Sequence, residues 1–337
     1  MIIKAWIMNR YDQLKKLMDQ CRYFKTVCGA GNEDPQEVRR LTMVYALAGA
    51  CSMDVSANVD VVKGAMQGLD TAELLAEKLG KTIPVRPYIN VSVGLKGDPH
   101  IRKARIDKDI CTQCGNCLDK CLQDAIDDNF VVAQQHCIGC GKCDEQCDVD
   151  AIKYYDKRVN LQEIIPECLA SGAETLELHA IIADDDAVMA DWKLLNSMLK
   201  DNYISMCLDR HFLSDVHLLD RIQRAYEISG DRLIIQADGI PMGGGEDDYK
   251  STLQAIAIAD IIEKSGIPCK LLASGGTNSK TRELARLCGV HVHGVSIGTY
   301  ARRIVKHIIN RPDFDDNLEL IGQAVQIAEQ LVKVNIA

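Results

Sequence analysis

Eight of the fifteen cysteines in this 337-residue chain fall in two runs of identical spacing. Residues 111–121 read CTQCGNCLDKC, a C-x2-C-x2-C-x3-C pattern at Cys111, Cys114, Cys117 and Cys121. After fifteen intervening residues, CIGCGKCDEQC repeats it at Cys137, Cys140, Cys143 and Cys147. A doubled run of this kind is the pattern of a two-cluster, bacterial-type ferredoxin. Three thiolates on one tight loop reach three irons of a cubane, and the fourth, beyond a helical turn, faces the other cube. The spacing therefore predicts two [4Fe–4S] clusters as cofactors. Cys111, Cys114, Cys117 and Cys147 would hold one; Cys137, Cys140, Cys143 and Cys121 would hold the other. Structural zinc is the alternative, but it favours separated C-x2–4-C pairs around a tetrahedral centre, which two triplets with trailing cysteines match poorly. Gly115, Gly139 and Gly141 suit a close approach of backbone to sulfide, having no Cβ. The proline that commonly follows the fourth cysteine is replaced by Leu122 and Asp148. Rigidity or shielding of that turn is the expected loss, not ligation.

Charge is concentrated in the same segment. Residues 106–150 hold ten acidic and three basic residues (Lys108, Lys120, Lys142), a net −7 out of −9 for the chain. Such a surround disfavours the reduced cluster and predicts low potentials; an acidic face that docks a partner is the other reading. The whole-chain balance gives no electrostatic footprint for nucleic acid or an anionic membrane. The longest nearly apolar stretch, Leu41 to Cys51, is too short for a membrane span. Lys4 interrupts the hydrophobic start and Asn9, Arg10 and Asp12 follow it, so no secretory pattern develops and a cytoplasmic location is expected. Fifteen cysteines in such a chain point to metal or redox chemistry instead of disulfides.

Outside the cysteine segment, short apolar runs alternate with amphipathic stretches. The runs are Phe24–Cys28, Ser52–Val55, Pro87–Val93, Thr175–His179, Tyr203–Leu208, Leu233–Ala237, Lys270–Ala273 and Gly294–Ile297. Helical patterns between them include Pro35–Ala48, Asp60–Gly68, Leu161–Ser171, Val216–Ser229, Tyr249–Ser265 and Ser279–Cys288. Eight such units predict an α/β fold of the (β/α)8, TIM-barrel-like kind, with an open doubly wound sheet as the rival. The expected organisation is an N-terminal helical segment (1–23), the first barrel part with strands 1–3 (24–104), an α+β ferredoxin insert after strand 3 (105–157), the second barrel part with strands 4–8 (158–312), and a C-terminal amphipathic helix (313–337). In that helix Leu318, Ile321, Val325, Ala328 and Val332 recur at helical spacing. Residues 94–105 and 151–160 read as the linkers into and out of the insert. A loop after a barrel strand lies at the C-terminal mouth, so the clusters should lie near any barrel site.

Two further glycine signals lie at that mouth. Ser274-Gly275-Gly276-Thr277-Asn278 follows strand seven and Gly298-Thr299-Tyr300 follows strand eight. Gly275, Gly276, Gly298 and Thr299 are candidates for a phosphate site, where amides at a helix N-terminus meet phosphate oxygens. Plain tight turns are the alternative, and the ligand of such a site could be FMN, a phosphorylated substrate or nothing. The stretch Gln236–Gly245 after strand six is a mobile lid, a backbone platform or a surface loop. Polar residues expected to gather at the mouth are Cys28, Asp54, Asn90, His179, Asp209, Arg210, Gln236 and Asp238. No HExxH, GxSxG or Walker A pattern is present, and no catalytic acid or base stands out. The other cysteines (Cys21, Cys28, Cys51, Cys168, Cys207, Cys269 and Cys288) read mainly as core residues. Cys28 and Cys207, at strand ends, are the exceptions to watch.

Several stretches resemble the light-dependent-period (LdpA) family: FKTVCGAGNEDPQEVRRLTMVYALAGACSMDVSAN, GDPHIRKARID, IIQADGIPMGGG, and LLASGGTNSKTRELARLCGVHVHGVSIGTYARRIV. The likeness spans most of residues 22–306, with the cysteine module in the same place. It implies a cytoplasmic iron–sulfur protein that reports redox state to a circadian clock, without an established catalytic reaction. The cysteine runs here are more regular than the family's, and only the architecture and the redox role are carried over.

Three functional readings follow. The first is an electron-transfer or redox-sensing protein exchanging single electrons with a redox partner or a larger oxidoreductase complex. The second is an FMN-dependent barrel oxidoreductase fed by its own clusters. The third is a structural adaptor stabilised by clusters. Whether the chain is itself an enzyme stays open, as does a small-molecule ligand at the barrel mouth.

Overall fold

A computed structural model describes residues 8–29, 31–121, 123–240 and 245–336. Residues 1–7, Ala30, Leu122, residues 241–244 of the glycine-rich stretch and Ala337 lie outside the described residues. Ten strands run in chain order as β1 Tyr23–Gly29, β2 Ser52–Ser56, β3 Tyr88–Gly94, β4 Arg102–Ile106, β5 Ile152–Asp156, β6 Thr175–His179, β7 Ile204–Leu208, β8 Leu233–Asp238, β9 Lys270–Ser274 and β10 Gly294–Ile297. Eight of them close a parallel barrel in the order β1-β10-β9-β8-β7-β6-β3-β2. Each expected apolar run is one of these strands, and the open-sheet alternative is excluded because each of the eight pairs on both sides and the ring has no edge.

The outer ring follows from local chemistry. Helix Pro35–Leu47 starts on an Asp34 cap with proline at its first position, and Asn58, Asp184, Ser214 and Asp248 cap the helices Val59–Ala76, Asp185–Met198, Asp215–Ser229 and Tyr249–Ser265. Each cap accepts from an amide that would otherwise be orphaned at a helix start. The apolar faces of these helices meet the outward residues of the strands. Phe24, Met53, Val55, Ile89, Val91, Leu176, Leu178, Met206, Ile235, Ala273 and Val295 all belong to that one buried layer. The C-terminal helix Leu318–Ile336 packs on helices Pro35–Leu47, Thr281–Leu287 and Thr299–Ile309. It buries Ile321, Val325, Ala328 and Val332 as the spacing implies, but Leu318 is exposed and Leu320, Ala324 and Leu331 complete the buried face.

The helix Arg10–Asp19 has a role its polar sequence hides. Its Leu14 and Met18 form a second buried cluster with Tyr23, Tyr88, Tyr203, Ile234 and Leu272, which lie at or near the N-terminal ends of barrel strands or face the lumen. The helix therefore plugs the bottom of the barrel. Arg10 fastens it, with its guanidinium 3.6 Å over the Tyr88 ring and paired to Glu174.

The segment between β3 and β6 leaves the barrel, and its flanks are strands, not linkers. Residues 102–106 and 152–156 are β4 and β5, paired antiparallel from Arg102↔Asp156 to Ile106↔Ile152. The expected boundary at 104/105 thus falls inside β4. A small separate core of Ala104, Ala125, Val132, Cys137 and Ile152 holds this layer together. Lys103 ties it to the barrel, its buried ammonium donating to the carbonyls of Gly31 (2.6 Å), Gln134 (2.8 Å) and Cys137 (2.6 Å).

Candidate functional site: two cysteine cavities above a polar barrel

The eight run cysteines wall two cavities. One, with about 310 Å³ of space counted out to solvent, is lined by Cys111, Cys114, Cys117 and Cys147 among Ile106, Phe130, Val149 and Ile152. The other, about 370 Å³, is lined by Cys121, Cys137, Cys140 and Cys143 among Ala104, Ile126, Val132, Ile138 and Tyr154. Each cavity joins three cysteines of one run to the fourth of the other. Backbone amides point at the sulfurs: Gln113 to Cys111 (3.4 Å), Ala151 to Cys147 (3.2 Å), Ala104 to Cys137 (3.3 Å) and Ala125 to Cys121 (3.3 Å).

These features suit a thiolate-bound cluster better than zinc. Zn–S bonds of about 2.3 Å at tetrahedral angles set sulfurs about 3.8 Å apart. Among the described residues, the His, Cys, Asp and Glu trios whose donor atoms lie within 4.8 Å of one another include none of these eight cysteines. Gly139 and Gly141 are also constrained by the protein around them. A Cβ on Gly139 would lie 2.3 Å from the Arg102 carbonyl, and Gly139 and Gly141 both have positive φ, so packing and backbone conformation favour glycine at 139 and backbone conformation favours it at 141.

The two cavities differ in surrounding charge. Around the Cys137 cavity lie Lys142 on the wall, Lys103 on the Cys137 carbonyl, and Arg102, which donates to the Gly139 carbonyl (2.6 Å) and covers the Tyr154 ring. The buried Arg302 guanidinium of the barrel also acts on Cys140. No cation lines the Cys111 cavity among the described residues, and Cys114 is exposed.

Below the insert, the barrel lumen is polar, whereas small barrel interiors are normally filled by branched aliphatic residues. Lys25 of β1 reaches Glu177 of β6, three strands round the closed sheet, in a pair that is almost wholly buried. Asn90 donates to Asp54 (2.5 Å) and to Glu177 (3.3 Å), Ser92 also donates to Asp54, and Thr175 donates to Asn90 (2.8 Å). His179 lies between Glu177 and Asp98, 3.4 Å from a carboxylate oxygen of each, and Asp98 also holds the His100 ring at 2.7 Å. Burial alone would lower the His179 pKa, but its two carboxylates raise it well above the usual range. Burial would likewise raise Glu177, but Lys25 and His179 hold it down. At Asp54 and Asp238 desolvation outweighs the help of neighbouring groups (Lys25, Ser92 and Asn90 at Asp54; His100, Cys207 and His179 at Asp238) and pushes both up.

A third cavity opens over this network, with about 710 Å³ of space counted out to solvent. Asp54, His179, Gln236 and Asp238 line it, as do all four glycine-site candidates, Gly275, Gly276, Gly298 and Thr299. Four other expected mouth residues do not. Cys28 faces the helix layer, because side chains alternate along β1 and the lumen takes Lys25 and Val27. Asn90 is bonded deeper in the barrel, Asp209 caps the amide of His211 with its pKa raised to about 6 by burial, and Arg210 pairs with Asp215. Cys207 does line the cavity, donating to Asp238 at 3.3 Å. Lys25, Asp98, His100, Glu177, Ser296 and Arg302 escaped the sequence reading. Charged residues inside apolar strands, Lys25 and Glu177, were the available signal; Asp98 and His100 come from a loop and had none.

Glycine at 275 and 276 is required by the fold itself. Both have positive φ, and a Cβ would fall 1.6 Å from Asp238 Oδ1 or 2.2 Å from the Ser251 carbonyl. Ile138, between Cys137 and Cys140, lines both this cavity and the Cys137 cavity.

Fold and site together define a closed (β/α)8 barrel with a two-stranded, cysteine-rich insert folded over its mouth. The chain belongs to the light dependent period A family. Residues 168–334 match the Light dependent period A C-terminal domain. Over 325 residues the chain is 30% identical to Light dependent period A of Synechococcus elongatus (strain ATCC 33912 / PCC 7942 / FACHB-805), covering 92% of this chain and 90% of that protein. Among solved structures it is similar to tryptophan synthase from M. tuberculosis (10% identity, 96% and 99% of the two chains, TM-score 0.48) and to the YdjI aldolase from Escherichia coli K12 (9%, 94% and 90%, TM-score 0.46). Among the described residues, no helix is long and apolar enough to cross a membrane.

Proposed function

We propose that this protein is an iron–sulfur electron carrier or redox sensor, holding one [4Fe–4S] cluster in each cysteine cavity and passing single electrons to or from a redox partner. The observation that carries this reading is that each cavity is walled by three cysteines of one run and the fourth of the other. When bound, the clusters supply one-electron chemistry. The chain's part is to fix their order and bias. Cys114, the exposed cysteine of the outer set, marks the face for a partner, and the acidic segment favours a basic one. Arg102, Lys103, Lys142 and Arg302 stabilise added negative charge at the inner site, so electrons settle there, nearer the barrel.

A second reading, an oxidoreductase whose barrel holds FMN, is favoured by the shared Ile138 wall. Anaerobic purification with iron, sulfide and flavin assays tests both. About eight irons and eight sulfides per chain support the carrier, and near-stoichiometric FMN in addition supports the flavoenzyme. Zinc in place of iron overturns both.

A further inference from the structure

The barrel cavity contains buried polar atoms without protein partners. They are Arg302 Nε, Ser296 Oγ, Gln236 Oε1 and Asp238 Oδ1, on residues 7%, 1%, 1% and 4% exposed, and all four residues line the cavity. Buried polar atoms are normally satisfied, and leaving one unpaired is costly. Their arrangement separates by chemistry. Arg302 is a donor with a positive charge; among the described residues its side chain makes one long bond, 3.3 Å from Nη1 to the Cys28 carbonyl, and no ion pair. It sits in the first turn of helix Thr299–Ile309, whose start at Gly298 has no side-chain cap and lines the same cavity, as does the Gly275–Thr277 turn. Asp238 Oδ1 and Gln236 Oε1 are acceptors. They belong to β8, which pairs with β9 at Asp238↔Ser274, just before that turn.

We propose that the barrel mouth binds a small phosphorylated molecule. Its phosphate lies between Arg302, Ser296, the Gly275–Thr277 turn and the start of the Thr299 helix. Its other end presents N–H or O–H donors to Asp238 and Gln236. A buried guanidinium that makes no ion pair, with Glu37 acting on it only from beyond contact distance, calls for an anion, and the uncapped helix start supplies further amides to the same anion. Two orphan acceptors call for a ligand with donors, which a simple inorganic anion lacks. The isoalloxazine mononucleotide and a phosphorylated polyol or sugar share this chemistry. This inference rests on the barrel cavity alone and does not need the clusters.

The test is calorimetric titration of the anaerobically prepared full chain with three probes: FMN, dihydroxyacetone phosphate and inorganic phosphate. At least one organic phosphate should bind more tightly than inorganic phosphate and be displaced by it. FMN binding identifies a flavin site; dihydroxyacetone phosphate binding with FMN excluded identifies a phosphorylated substrate. Arg302→Met should weaken binding about 10- to 100-fold, the size of a lost charge-assisted hydrogen bond. Ser296→Ala, which removes only the hydroxyl, should weaken it several-fold in a fold left intact. If none of the probes binds at millimolar concentration, or if binding survives both substitutions unchanged, the proposal is wrong. Arg302→Met that shifts only the reduction potential of a cluster, with ligand affinity unaltered, would assign the guanidinium to the cluster and overturn it equally. Iron content is read on the same sample, so loss of clusters and loss of the phosphate site are separate results.

Discussion

Replacing Glu177 by glutamine isolates what charge does inside this barrel. The substitution keeps shape and volume, so no cavity term enters. It removes the carboxylate that faces Lys25, that lies 3.4 Å from His179 and that accepts from Asn90 at 3.3 Å. Lys25 is 1% exposed and His179 4%, so neither cation can turn to water. Breaking a buried pair in this way costs about 3–5 kcal/mol. With a urea m-value of about 3 kcal/mol/M, that is a fall of about 1–1.7 M in the unfolding midpoint. Lys25→Met in the Glu177→Gln background removes the stranded cation and should recover at least half of the loss, which a double-mutant cycle reads as a coupling energy. Equilibrium urea unfolding of the four anaerobic proteins, followed by circular dichroism, gives the numbers. A loss under 1 kcal/mol for Glu177→Gln, or a double variant as unstable as the sum of the singles, would refute the claim that this pair organises the lumen.

Other expectations follow from single observations. Gly64→Ala should destabilise although alanine gains about 1 kcal/mol of helix propensity, because its Cβ would lie 2.5 Å from the Pro35 carbonyl where two helices cross; a rise in Tm would contradict this. His293 is kept neutral, its pKa lowered to about 4 by burial and then by Lys270, while its Nδ1 accepts from the Leu271 amide. The unfolded chain therefore binds more protons between pH 6.5 and 4, so the stability His293 contributes is present above that window and lost as pH falls through it. His293→Asn should flatten that part of the pH–stability curve, and an unchanged slope would count against it. Cys147→Ser should disturb the same cluster signal as Cys111→Ser, and Cys121→Ser the same signal as Cys140→Ser, in low-temperature EPR of reduced protein; pairing of Cys147 with Cys143 instead would break the crossed assignment.

The parts legible from sequence were those with a local signature. Eight apolar runs marked eight strands because each must bury an outward face against a helix, and cysteine spacing alone grouped the residues that wall each cavity. Side-chain parity was harder. Cys28 read as a mouth residue by its place at a strand end, yet one step along the pleat separates it from the lumen that Val27 faces. RKARI and IKYYD carry enough charge to resemble linkers, because Lys103 is buried by satisfying three carbonyls that sequence cannot show. Arg10–Asp19 reads as polar, since only Leu14 and Met18 of it are buried, and its remaining hold on the barrel floor comes from Tyr11 stacked on Tyr203 and Arg10 over Tyr88. Asp98 and His100 reach the site from a loop whose path is set by the insert.

The most direct test of the electron-carrier account is metal and sulfide analysis of anaerobically purified protein, with EPR after dithionite reduction. About eight irons, about eight acid-labile sulfides and signals from two interacting reduced clusters are expected. Two zinc ions per chain, with no sulfide and no reducible signal, would contradict it.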